Sequence, residues 1–234
     1  MFFIYNLLFN LLVLLFLPVI LLAFAIKPKL RAGFLQKIGF YPTLYETYDS
    51  SVPQCLRNIW VHAVSVGEVN AVEEFVKKLK EEFPTYSLVI STVTKTGQDV
   101  AAKKFLNVAD KIIYFPYDFV FSVNKAIKAI KPDAVIIAET EIWPNLVNEL
   151  YKKQIPLIIV NGRISPSSYN GYKKLSLFFK NVLSRYTLIL MQTLGDMDRI
   201  INIGAPEKIT KTMGNLKFDI KNKLDENKIN LLAE

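Results

Sequence analysis

The sequence predicts an α/β fold: a Rossmann-like, doubly wound parallel sheet preceded by one transmembrane helix. Three observations point there. Short apolar runs alternate with longer amphipathic stretches along most of the chain, the pattern of strand–helix crossover units. Polar, glycine and charged residues gather after the apolar runs, where a parallel sheet collects its chemistry. Residues 1–26 form one apolar run without a charged side chain.

That first run, "MFFIYNLLFNLLVLLFLPVILLAFAI", would extend about 39 Å as a helix, enough to cross a bilayer. A cleaved signal peptide competes, because Ala23-Phe24-Ala25 has the small-residue form of a cleavage site. Against it, no Lys or Arg precedes the run, whereas Lys27, Lys29, Arg31 and Lys37 follow it before the first acid, Glu46. By the positive-inside rule the expectation is an uncleaved single-pass anchor with a short outer N-terminus and the bulk of the chain in the cytoplasm.

Residues 27–57 read as a basic juxtamembrane connector ending in the turn-rich "YPTLYETYDSSVPQ", and residues 58–220 as the Rossmann-like domain. The expected strands are Ile59 to Ala63, Ser87 to Ser91, Lys111 to Phe115, Ala134 to Ala138, Leu157 to Val160, Thr187 to Met191, and a short one at Thr210 to Met213. Helical patterns between them include "EVNAVEEFVKKLKEEF", "GQDVAAKKFLNVA", "FVFSVNKAIKAI" and "NLVNELYKKQ".

Composition narrows the function. The formal net charge is +8, which suits an anionic membrane surface or a phosphorylated substrate. Nucleic acid is disfavoured by the anchor and by the lack of a basic-aromatic binding motif. Cys55 and His62 are each the single residue of their type, which removes an internal disulfide and a Cys/His structural zinc site.

The strand ends read "HAVSVGE", "STVTKTG", "FPYD", "AETEIWPN", "VNGRIS", "MQTLGD" and "MGNLKFD". Ser65-Val66-Gly67-Glu68 has the form of a capping box, in which Ser65 caps a helix and Glu68 reaches back to its amide. The same helix N-terminus would keep Glu68 ionised, as a base requires, although it lowers the proton affinity. Gly67 permits close approach of a backbone or ligand. Local sequence leaves cap and catalyst both open. Glu139 and Glu141 follow the most apolar strand two residues apart, and a helix-start acid explains only one of them. Arg163 suits either a phosphate or one of these glutamates. Lys217 alone reads as a solvated lysine, His62 as a strand-end histidine bonded to backbone, and Thr96-Gly97-Gln98-Asp99 as a cap. Asp196-Met197-Asp198 has the D-x-D pattern of metal-dependent sugar transferases, but Thr193 favours a capped helix start.

Taken together, "HAVSVGEV", "STVTKTG", "YFPYD", "AETEIWPN", "VNGRISPSS" and "MGNLKFD", in this order and spacing, resemble the N-terminal half of 3-deoxy-D-manno-octulosonic acid (Kdo) transferases, the lipopolysaccharide enzymes that act on lipid A precursors. The resemblance implies a GT-B glycosyltransferase of two Rossmann-like domains, the first for the lipid acceptor and the second for the CMP-Kdo donor. It implies inverting transfer at the bacterial inner membrane, with no cofactor and no required metal. The family's base falls on Glu68 and its two transition-state stabilisers on Glu139 and Lys217, with Ser65, Gly67 and Arg163 as substrate-binding candidates. Residues 221–234 are then expected to begin a linker to a donor domain that is missing or separately encoded. A non-catalytic, membrane-anchored acceptor-binding module is the alternative.

Overall fold

The structure, a computed structural model, describes residues 1–41 and 57–219; the turn-rich connector up to residue 56 and the linker at 221–234 lie outside the described residues. It opens with α1 (Phe2–Ile26), a short 3-10 turn (Pro28–Arg31) and the one-turn α2 (Phe34–Lys37). The alternating part follows as β1 (Asn58–His62), α3 (Val66–Ala71), α4 (Glu73–Glu82), β2 (Ser87–Thr92), α5 (Lys95–Lys104), β3 (Lys111–Tyr114), α6 (Val120–Ile130), β4 (Ala134–Ala138) and α7 (Pro144–Lys152). Then come β5 (Leu157–Gly162), α8 (Pro166–Lys173), α9 (Ser176–Leu183), β6 (Leu188–Met191), α10 (Leu194–Ile203) and β7 (Thr210–Thr212), closed by a 3-10 turn at Leu216–Asp219.

Among the described residues, seven strands pair in parallel in the order β3-β2-β1-β4-β5-β6-β7. Successive side chains alternate between the two sheet faces. Ile59 and Val61 of β1 therefore pack with Val69, Val76 and Phe105 beneath α3, α4 and α5. Trp60 points the other way, into the core that α6, α7, α9 and α10 complete with Ile127, Leu146, Val182 and Ile200. The central strands are buried on both faces, so they read in the sequence as continuous apolar runs rather than alternating ones.

All seven expected strands are present, each within two residues of its expected ends. The helices differ more. The long pattern from Glu68 to Phe83 is two helices, broken at Val72, whose φ of −96° and ψ of 3° leave the α-helical well. No expected element falls between Val160 and Thr187, where the structure has α8 and α9.

Two residues of the basic stretch are engaged by the chain itself. Lys37 is buried, with Nζ 4.9 Å from the centre of the Tyr114 ring, so it does not face a membrane. Arg31 donates to the carbonyls of Phe24 and Ala25 at 2.7 and 2.8 Å, satisfying the last turn of α1. Lys27 and Lys29 are exposed.

Candidate active site

The strand order turns back on itself between β1 and β4, whose neighbours β2 and β5 lie on opposite sides. This reversal opens a crevice at the carboxyl ends of β1 and β4. The segments leaving those ends are Ala63–Glu68 and Glu139–Trp143, so the topology itself brings the two acidic motifs together.

Glu68 lies in the first turn of α3 with only 8% of its surface exposed. Its Oε2 accepts the Val64 N–H at 2.7 Å and its Oε1 accepts the Ser65 hydroxyl at 3.1 Å. The expected capping box is therefore only partly built. Ser65 is the N-cap residue but makes no side-chain cap bond; its hydroxyl donates to the carboxylate, the stronger acceptor, and Glu68 reaches Val64 instead of the Ser65 amide. Ser65 thus acts on Glu68.

The electrostatic expectation is also reversed. Burial pushes the Glu68 pKa up to about 7, outweighing the two hydrogen bonds that favour the charged form, and the charges of Glu139 and Glu141 add to the rise. A carboxylate poised near neutrality is better matched to accepting a proton near pH 7 than an ordinary glutamate. Glu141 is raised as well, by burial first and by Glu139 second.

Glu139 sits in the left-handed region at φ +59°, rare for a residue with a Cβ. Its N–H donates to the Val160 carbonyl at 2.9 Å, so the turn out of β4 is fixed against β5. Between the two glutamates, Thr140 Oγ1 accepts the Arg163 N–H at 2.8 Å. Arg163 therefore joins the site through its backbone. Its guanidinium is exposed and pairs with neither glutamate among the described residues.

Lys217 arrives from the far end of the sheet. Leu216 packs with Val69 and Val76, which sets the closing 3-10 turn against α3 and leaves Lys217 exposed beside the helix that carries Glu68. The residue that fixes this turn is Asn161, absent from the sequence candidates. It is fully buried at φ +57°, and its Oδ1 accepts the Leu216 N–H at 3.1 Å. The pairing of Asn161 with a residue 55 positions later could not be read from local pattern.

His62, Gly97 and Asp196 have structural roles, whereas Gly67 has none that packing shows. His62 is buried and stacked 3.7 Å from Phe115, with Nδ1 3.1 Å from the Ser91 carbonyl; burial lowers its pKa to about 3, so it stays neutral. Gly67 is exposed and a Cβ there would meet only Ser65 Oγ at 3.8 Å, so the chain's own packing does not demand glycine. At Gly97, by contrast, packing leaves little room: a Cβ would lie 2.9 Å from Thr94 Oγ1 and 3.4 Å from the Val64 carbonyl. The cap of α5 is Thr94, which accepts the Gly97 N–H at 3.0 Å, rather than the expected Thr96. Asp196 is held by Thr193, the Ile164 N–H and Arg199, which places it in the capped start of α10.

Comparisons with known proteins bear on the family and the fold. A family model described as 3-deoxy-D-manno-octulosonic-acid transferase (kdotransferase) matches residues 32–220. A bifunctional glycosyltransferase/methyltransferase from Fusobacterium nucleatum is 42% identical over 163 residues, covering 69% of this chain and 25% of that protein. A 3-deoxy-D-manno-octulosonic acid transferase from Haemophilus influenzae is 32% identical over 196 residues, covering 83% of this chain and 44% of its own length. The chain thus spans less than half of these relatives. Among solved structures, a UDP-GlcNAc 2-epimerase from Neisseria meningitidis superposes with a TM-score of 0.52 at 12% identity, over 75% of this chain and 53% of that one. At that identity the likeness concerns the fold, one Rossmann-like half of a two-domain GT-B architecture.

Proposed function

The chain belongs to the 3-deoxy-D-manno-octulosonic acid transferase family, and from that premise we propose that it supplies the acceptor-side half of an inverting transfer of Kdo from CMP-Kdo to a lipid A precursor, lipid IVA. The observation that carries this reading is Glu68, a buried carboxylate at the topological switch point with its pKa pushed up to about 7 beside two further glutamates.

In this mechanism a primary hydroxyl of the acceptor glucosamine approaches Glu68, which retains a free lone pair on each oxygen after accepting from Val64 and Ser65. As the hydroxyl oxygen bonds to the anomeric carbon of Kdo, its proton passes to Glu68 and the bond from that carbon to the CMP phosphate breaks. The products are the glycosylated lipid and CMP, and the proton then leaves Glu68 for water. Glu139 offsets the positive charge that develops on the oxocarbenium-like sugar, and Lys217 the negative charge on the departing phosphate. The Ser65 hydroxyl holds the base in place, and the exposed Gly67 and Arg163 are the proposed contacts for the acceptor. The reading calls on no cofactor or metal. Membrane attachment through α1 brings the site to its lipid substrate.

The test supplies CMP-Kdo and lipid IVA to membranes carrying this chain, with and without a donor-binding domain expressed in trans. Transfer should require the added domain and should disappear with Glu68→Ala. Transfer that persists in Glu68→Ala removes Glu68 as the base; acceptor binding without transfer under both conditions favours the non-catalytic module.

A further inference from the structure

Helix α1 is apolar on all sides, 25 residues long and unburied, features that by length and composition suit a membrane crossing. Its contacts do not. In its first turns the Tyr5 hydroxyl donates to Asp118 Oδ2 at 3.0 Å, and Asn6 and Asn145 exchange side-chain amide bonds at 2.9 and 2.8 Å. Phe9 packs its ring 5.1 Å from that of Phe119. Asp118 and Asn145 are the last residues of the YFPYD and WPN motifs, and neither has a part in the transfer described above.

The other end of α1 returns to the same place. Phe24 stacks edge-on with Phe34 at 5.2 Å. Next to Phe34, Gly33 lies so close to the Tyr114 ring that a Cβ would overlap it at 2.0 Å. Gln36 Oε1 accepts the Tyr114 N–H, and the Lys37 carbonyl accepts the Tyr117 N–H, both at 2.7 Å. The amino end of the helix therefore rests directly on the domain at Asp118 and Phe119, and its carboxyl end is tied to the same stretch, Tyr114–Phe119, through Phe34 and the α2 turn. A crossing helix would put its ends on opposite sides of roughly 30 Å of hydrocarbon, and one folded domain cannot touch both. A cleaved leader fails differently, because removal after Ala25 would take the Tyr5 donor from Asp118 and the Asn6 amide pair from Asn145.

We propose that α1 does not cross the bilayer but lies along one leaflet, latched by Tyr5 and Asn6 into a polar socket formed by Asp118 and Asn145. The exposed apolar side chains all round α1, among them Phe3, Leu8, Leu14 and Leu15, are submerged among the acyl chains together with Phe121 and Leu177 of the domain. Lys27 and Lys29 meet the headgroups of an anionic leaflet. Asp118 follows the carboxyl end of β3 and Asn145 begins the helix after β4, so the latch lies at the sheet edge that carries the candidate site.

The test uses the full chain in its native membrane with Cys55→Ser and one reporter cysteine at a time: on a short N-terminal extension, at Lys29→Cys, or at Lys103→Cys on exposed α5. A membrane-impermeant maleimide is applied to sealed spheroplasts and to inverted vesicles. All three reporters should label from the same side. An N-terminal reporter that labels from the side opposite Lys103→Cys overturns the proposal, as does an intact mass showing that the N-terminus has been removed. In detergent, the Tyr5→Phe/Asn6→Leu double variant should melt several degrees below the parent; an unchanged Tm overturns the latch, since a free spanning helix would tolerate both changes. None of these readouts needs sugar transfer, so failure here leaves the proposed function standing, and the reverse.

Discussion

Replacing Glu68 with Gln should stabilise the fold at neutral and alkaline pH while abolishing transfer. The unfolded chain binds the Glu68 proton with an ordinary pKa of 4.5, the folded chain with a pKa of about 7. The folded state therefore holds the proton more tightly. This contribution to stability is fully present below pH 4.5 and is lost as pH rises through 7. At 1.36 kcal/mol per unit, the shift amounts to about 3 kcal/mol by pH 8, of which about 2 kcal/mol is already gone at pH 6. Glutamine carries no charge and can keep both contacts, its carbonyl accepting from Val64 and its amide donating to a Ser65 hydroxyl that rotates to accept. The stability difference, variant minus parent, should thus be near zero at pH 4.5 and climb to about 3 kcal/mol at pH 8. Urea titrations of the detergent-solubilised chain would follow it through the fluorescence of fully buried Trp60. Asp118, also raised by burial, titrates in both proteins and cancels in the difference. A difference that stays flat with pH, or grows toward acid, would refute the assignment of a raised Glu68 pKa and with it the case for a base tuned to neutrality.

The remaining predictions concern the groups around Glu68. Glu141→Gln removes a charge that raises Glu68, so in the complemented transfer assay the acid limb of the pH profile should move to lower pH; no displacement would mean that Glu141 does not act on the base. Asn161→Ala strips the Leu216 N–H of its acceptor in a buried setting and should cost about 1–3 kcal/mol in urea unfolding, with transfer weakened further because the turn carrying Lys217 loses its tie. Gly97→Ala forces a Cβ toward Thr94 Oγ1, disrupts the cap of α5 and should cost about 1–3 kcal/mol, read as a lower Tm; the same change at Gly67, where space is open, should leave the Tm nearly unchanged.

The sheet was legible because a doubly covered parallel strand has only one way to be written, as a short apolar run ended by turn residues. Ala134–Ala138 and Leu157–Gly162 are such runs. The break at Val72 was not legible, since an apolar residue in phase with its neighbours carries no stop signal; nor were α8 and α9, whose "PSSYNGYK" opening buries no residue. In the site, the spacing correctly put Glu68 in a helix's first turn but mispredicted its proton affinity. A helix N-terminus is a local feature, whereas burial, the dominant cause, depends on the whole folded surroundings, and the two glutamates that add to it arrive from another strand. Asp118 and Asn145 escaped for a related reason: their partners on α1 lie 113 and 139 residues away.

Those two residues also connect the helix at the start of the chain to the chemistry. Asp118 accepts the N–H groups of Asn145 and Leu146, both at 3.0 Å, which makes it the anion at the N-terminus of α7. The segment that α7 begins from is Glu139–Trp143, fixed at its other end by the bond from the Glu139 N–H to β5. The turn holding Glu139 in its strained left-handed conformation is thus clamped on one side by the sheet and on the other by a carboxylate that α1 completes through Tyr5. Detaching α1 would remove one of three donors from Asp118 and loosen the end of the segment that presents both glutamates to Glu68. The contact between the apolar helix and the domain therefore bears on the geometry of the acidic cluster as well as on where the domain sits.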